Sequence, residues 1–135
     1  MTLAFLLHLF ATLFMCGLVW FVQIVHYPLF KLVPLSDFPT YQKKNFVTGF
    51  VTVPVMTLEL FSGLWILIAD YSNLFITNML LLGLIWGSTF LFQVPTHMQL
   101  VKNPTHKLMN KLIGTNWIRT IGRSIRTGIL GYMLL

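Results

Sequence analysis

The chain has 135 residues, of which 56% are hydrophobic and only 9% charged. A soluble domain carries about 25% charged residues because it must face water, so this composition excludes an ordinary soluble fold and makes lipid the solvent. Nine Lys and Arg against three Asp and Glu give a formal charge of +6. The basic residues gather at segment edges and along the last segment, with no Gly-rich phosphate loop and no basic-aromatic platform, so they speak for membrane topology and anionic lipid and against nucleic acid.

The length suits one domain of four spanning helices, each needing ~20 mostly apolar residues. The first apolar run covers about 3–25 and ends in His26-Tyr27-Pro28. It has no basic start and continues well past Phe10, which fits a span and not a cleaved leader. A polar loop with Lys31, Pro34, Asp37, Pro39, Tyr41, Lys43 and Lys44 follows. The second span covers about 46–69 and stops at Asp70. The linker Asp70-Tyr71-Ser72-Asn73 is so tight that the second and third helices should be antiparallel neighbours. The third span covers about 74–94, ending at Pro95 and His97, and the fourth about 107–135. The expected fold is therefore all-α, an antiparallel four-helix bundle integral to the membrane.

Lysine placement orients it. The first and third connections share one side and hold Lys31, Lys43, Lys44, Lys102, Lys107 and Lys111, while the other side has no Lys or Arg. The positive-inside rule puts both basic loops in the cytoplasm and both ends of the chain outside, in a bacterial-type inner membrane. Cys16 lies within the first run and has no partner for an intrachain disulfide.

Each segment carries a polar stripe at helical spacing. In the first, His8, Thr12, Cys16, Gln23 and His26 fall within roughly 80° of arc; in the second, Thr48, Thr52, Glu59 and Ser62 fall within roughly 100°. Trp86, Thr89, Gln93 and His97 share a face of the third, and Asn116, Arg119, Arg123 and Arg126 one of the fourth. Hydrocarbon cannot satisfy such groups, so the stripes should face one another. Thr12, Thr48, Thr52, Ser62 and Thr89 read foremost as interhelical glue, and Gly63 and Gly122 as close-packing positions.

Charge at depth carries more information. Glu59 sits about thirteen residues into its segment, near mid-bilayer at ~1.5 Å per residue, and Arg126 lies at similar depth. A central unpaired Arg costs about 2.5–3.5 kcal/mol on insertion scales. Glu59 can neutralise one cation; Asp37 and Asp70 stand in loops. Three resolutions are open for the others: Arg119 and Arg123 snorkel to lipid phosphates, they bond buried carbonyls, Asn116 and Gln side chains, or they hold an anionic ligand in a cavity facing the cytoplasmic leaflet. Arg suits the last role through its two parallel donors and its retained charge.

His26 and His97 end two segments on the Lys-rich side. With His106 they are candidates for a three-imidazole metal site, or as a pair for axial haem ligation. The spacing lacks any ligand motif, and solvated or hydrogen-bonded imidazoles are the preferred reading, with no metal assigned. A catalytic set without cofactor is His26 or His97 as proton acceptor for an enolisable substrate, with Arg119 stabilising the oxyanion. Gln23, Glu59, Gln93, Asn116, Trp117, Arg123 and Arg126 complete the candidate ligand-binding residues.

The segment Leu112-Ile113-Gly114-Thr115-Asn116-Trp117-Ile118-Arg119-Thr120 resembles the anthrone-oxygenase-like family, small four-helix membrane proteins whose last helix likewise joins Trp, Asn and Arg. The resemblance covers the helix plan and this one segment. It implies oxidation of a hydrophobic aromatic substrate without an obvious metal, with Asn116, Trp117 and Arg119 as the transferred positions.

The sequence thus leaves an enzyme or binder of a lipophilic, anionic or enolisable small molecule, with oxidoreductase chemistry as one form. Beside it stand an oligomeric transporter or channel using Glu59 and Arg126 as an ion or proton relay, and a structural accessory subunit.

Overall fold

The computed structural model describes residues 1–69 and 71–135; the stop expected at Asp70 lies outside the described residues. The fold is all-α, with no strand among the described residues. It consists of four long helices: α1 (Leu3–Leu32), α2 (Phe38–Ala69), α3 (Asn73–Lys102) and α4 (His106–Met133). The first three are long and apolar enough to cross a membrane. With 28 residues α4 has the length, about 42 Å at ~1.5 Å per residue, but it also carries Lys107, Lys111, Arg119, Arg123 and Arg126. Thr2, Ser72 and Thr105 cap α1, α3 and α4, each side-chain oxygen accepting a backbone N–H from three residues on.

The helices run beyond their apolar segments. α1 continues through Pro28 to Leu32 instead of ending near Val25, and α3 continues through Pro95 to Lys102. Both prolines follow a π-helical turn, Val22–His26 and Thr89–Gln93. In these turns the Tyr27 N–H bonds the Val22 carbonyl and the Val94 N–H bonds the Thr89 carbonyl. The widened turn relieves the clash between a proline ring and the preceding turn, so neither proline ends its helix. The loop expected through Tyr41, Lys43 and Lys44 is helical as well, because Pro39 occupies the first turn of α2, where no N–H partner is required. α4 begins at His106 and ends at Met133.

The polar stripes decide the packing. α1 lies along α2 and α4, and α3 lies along α4. Despite the short linker, α2 and α3 touch little beside it and meet mainly through Phe38–Asn45 against Val94–Lys102. Exposed Phe10, Trp20, Phe61, Trp65, Leu84 and Ile121 face outward, while Arg123 and Arg126 are the largest of the fully buried side chains. This inversion suits lipid surroundings. Apolar clusters close both ends of the interior. Tyr27, Phe30, Phe38, Leu100, Met109 and Leu112 pack at the Lys-rich end, and Ile66, Phe75 and Leu130 at the other.

Gly63 brings α2 against α1, since a Cβ there would lie 2.6 Å from Met79 Sδ and 2.8 Å from His8 Cε1. The thioether can swing away, but the His8 ring is tied by hydrogen bonds. Gly63→Ala is expected to lower stability by about 1–3 kcal/mol in denaturant titrations of detergent-purified protein. Gly128→Ala, whose Cβ would meet nothing within 4 Å, should be neutral or better. Equal effects would remove the close approach as the cause.

Candidate functional site

Two polar assemblies occupy the interior. The deeper one is closed. Glu59 of α2 receives Arg123 Nη1 at 3.0 and 2.8 Å on its two oxygens, Arg126 Nη1 on Oε1, and the Thr12 hydroxyl at 3.0 Å. Glu59, Arg123, Arg126, Thr12 and His8 are all fully buried. Arg126 also donates through Nε to Asn78 Oδ1 at 3.1 Å, and Asn78 Nδ2 donates back to the Arg126 carbonyl at 3.2 Å, which locks α3 to α4. Guanidinium has no acceptor, so its 3.2 Å contact with His8 Nε2 makes that nitrogen a lone-pair acceptor. The proton of His8 is then on Nδ1, donated to the Glu59 carbonyl at 2.9 Å. One carboxylate thus serves two arginines, and all four helices contribute side chains to the cluster around it.

The second assembly borders a cavity of about 660 Å³ between α1, α2 and α3, within the range of small-molecule sites. Its deep end is apolar, with Met15, Val19, Met56 and Trp86; toward the Lys-rich end come His26, Tyr27, Asn45, Gln93, His97 and Arg119. Val53 of α2 and Phe90, Val94 and Met98 of α3 line it while remaining exposed, so it opens sideways between these helices.

Hydrogen-bond polarity fixes the groups at this end. Gln42 Nε2 donates to His97 Nδ1 at 2.5 Å, which leaves the His97 proton on Nε2, 3.0 Å from the Tyr27 oxygen. The Tyr27 hydroxyl donates to Gln93 Oε1 at 3.1 Å, and Gln93 Nε2 donates to Thr115 Oγ1 at 2.9 Å. His97 is therefore a neutral imidazole with both nitrogens engaged. His26 differs: its Nε2 donates to Asn45 Oδ1 at 2.9 Å, which in the neutral ring leaves Nδ1 as a lone-pair base.

Arg119 is the cation of the cavity wall. Its Nη1 donates to Asn116 Oδ1 at 3.2 Å, and it stands beside the Tyr27 oxygen. Asn116 is held in turn by Gln23, whose Oε1 accepts from Asn116 Nδ2 and Thr120 Oγ1, both at 2.9 Å. Arg119 Nε and Trp86 Nε1 are buried without a partner, as are Nε and Nη2 of Arg123 in the closed cluster. All four are donors.

Of the residues singled out from sequence, His26, Gln93, His97 and Arg119 line the cavity, and Gln23 and Asn116 position Arg119 from behind. Glu59, Arg123 and Arg126 belong to the closed cluster and line no part of it. Trp117 is 41% exposed and packs edge-on against Trp20, 5.8 Å between centroids, on the outer surface. His106 is exposed in the first turn of α4, and among the described residues no group of three His, Cys, Asp or Glu could hold a metal. Axial haem ligation by His97 would require breaking its bond to Tyr27 or Gln42.

Tyr27, Gln42, Asn45 and Asn78 were not singled out. Gln42, Asn45, Thr48 and Thr52 recur at spacings of three, three and four, so the stripe of α2 extends back to its second turn; Pro39 and the lysines concealed this by resembling a loop. No family model, curated protein or solved structure matches this chain.

Glu59→Gln would leave two buried guanidinium groups without a counter-charge. Breaking a buried pair costs about 3–5 kcal/mol, so the variant should unfold at markedly lower denaturant or fail to accumulate. Wild-type unfolding would show that Glu59 does not organise the interior.

Proposed function

We propose that this protein is an antiparallel four-helix membrane bundle, with both ends of the chain outside a bacterial-type inner membrane, that binds a lipophilic small molecule with an anionic or enolisable head. The observation that carries the reading is Arg119: a cation in the wall of a largely apolar cavity, with an unpartnered Nε, in an interior where Glu59 is already shared by two other arginines. A carboxylate or enolate oxygen would complete its bonding and offset its charge. The lateral opening between α2 and α3 suits a ligand that arrives through the bilayer.

For an enolisable ligand, His26 is the better base. It has a lone pair at Nδ1, whereas both His97 nitrogens are held. The proton would pass from the ligand carbon to His26, and the developing enolate oxygen would rest on Arg119. His97 and Gln93 then act by orienting Tyr27 beside that oxygen. The resemblance to the anthrone-oxygenase-like family would make the head aromatic and the reaction an oxidation with dioxygen as the oxidant, with Arg119 at the cavity, Asn116 behind it and Trp117 on the outer surface. Ion relay through Glu59 and Arg126 has no comparable support, since both sit fully buried in mutual contact, and the cavity asks for no second copy of the chain.

Mass spectrometry of molecules released on denaturing the purified protein should find a lipophilic acid or enol. Arg119→Ala should retain about tenfold less, a loss in line with one charge-assisted hydrogen bond; equal retention would end the proposal. A fluorescent protein fused to the C-terminus should stay dark, and a bright fusion would reverse the orientation.

A further inference from the structure

Beyond the cavity lies a second space. A groove of about 440 Å³ runs between α2 and α3 on the far side of Trp86, which lines both. Leu60, Leu64, Met79, Leu80 and Gly83 line the groove with Trp86, and its walls offer no charged side chain. Along α2 these residues follow Met56 of the cavity, and along α3 they precede Trp86, so cavity and groove succeed each other in depth. From Trp86 to Ile76 the groove follows roughly 15 Å of helix at ~1.5 Å per residue. Apart from the Trp86 indole N–H at the junction, polar side chains lie toward the Arg119 end. The gap persists although a short linker joins the two helices, because Glu59 draws α2 toward α4 and Asn78 draws α3 toward α4.

From this succession in depth, and from the Trp86 wall that the two spaces share, we infer that cavity and groove together form one elongated site for a single-tailed lipophilic anion: head on Arg119, tail past Met56 and Trp86 between α2 and α3. The inference rests on Arg119 as the head-group site and adds the shape of the molecule. A compact aromatic acid would leave the groove empty of ligand; a long acyl or isoprenoid tail would fill it.

Gly83 provides the test. A Cβ at this position meets nothing within 4 Å, so Gly83→Phe can place a ring in the groove without displacing backbone, and Gly83→Leu is a milder version should the larger one reduce folding. Octanoate, dodecanoate and hexadecanoate are titrated into detergent-purified wild type, both Gly83 variants and Arg119→Ala, with thermal unfolding as a check on folding. The expected result is unchanged octanoate affinity in the Gly83 variants with hexadecanoate weakened about tenfold or more, while Arg119→Ala weakens every chain length. If the Gly83 variants bind hexadecanoate as wild type does and Arg119→Ala still weakens all three, the tail path is wrong and the head site stands. If hexadecanoate binding depends on Gly83 but not on Arg119, the groove takes a bilayer acyl chain and the joined site is overturned. Carboxylates that ignore Arg119 altogether would remove the head-group reading itself.

Discussion

Glu59 receives two arginines in a fully buried part of the molecule, and the arrangement of the four helices follows from that meeting. Arg123 and Arg126 are fully buried on α4, so α2 must bring its carboxylate to them; Thr12 and His8 then bring α1 to the same place, and Asn78 brings α3. In a soluble core an ion pair of this kind is often no better than well-packed hydrocarbon. Here the outer surface is itself apolar, as a hydrocarbon solvent would allow, and in such a solvent burying more apolar area gains little, so directed polar contacts determine which helix meets which.

Such an anchor has a consequence for the rest of the interior. With its single carboxylate committed, the cluster leaves Arg119 to Asn116, Tyr27 and whatever else the cavity holds. Apolar clusters at both ends, built on Phe30 and Phe38 at one and on Phe75 and Leu130 at the other, seal the polar interior lengthwise. The sideways route between α2 and α3 is what stays open. The two π-helical turns contribute to this layout, since each carries a buried glutamine: Gln23, which orients Asn116, and Gln93, which bonds Tyr27.

Much of the plan was legible in the chain. A composition this poor in charge, four segments with polar stripes, and Glu59 and the arginines at central depth all follow from a solvent that cannot hydrogen-bond. The stripes identified which faces turn inward, and with them His26, Gln93, His97 and Arg119. Helix ends were less legible. Pro28, Pro39 and Pro95 read as breaks, yet two are absorbed by π-helical turns and one sits in a first turn, because whether a proline ends a helix depends on the geometry before it and not on the residue alone. Gln42 and Asn45 were hidden for this reason.

Sequence by itself determined that the molecule has an inverted solvent relation and that its charged groups must find partners inside, because side-chain transfer energies belong to residue types and survive any arrangement. Which arginine takes the carboxylate and which is left to a cavity was decided only in three dimensions. Asn116, Arg119, Arg123 and Arg126 lie on one face of α4 and look alike in one dimension. Their partners come from three other helices, and only the register of those helices separates the paired cations from the one that stands at the cavity wall.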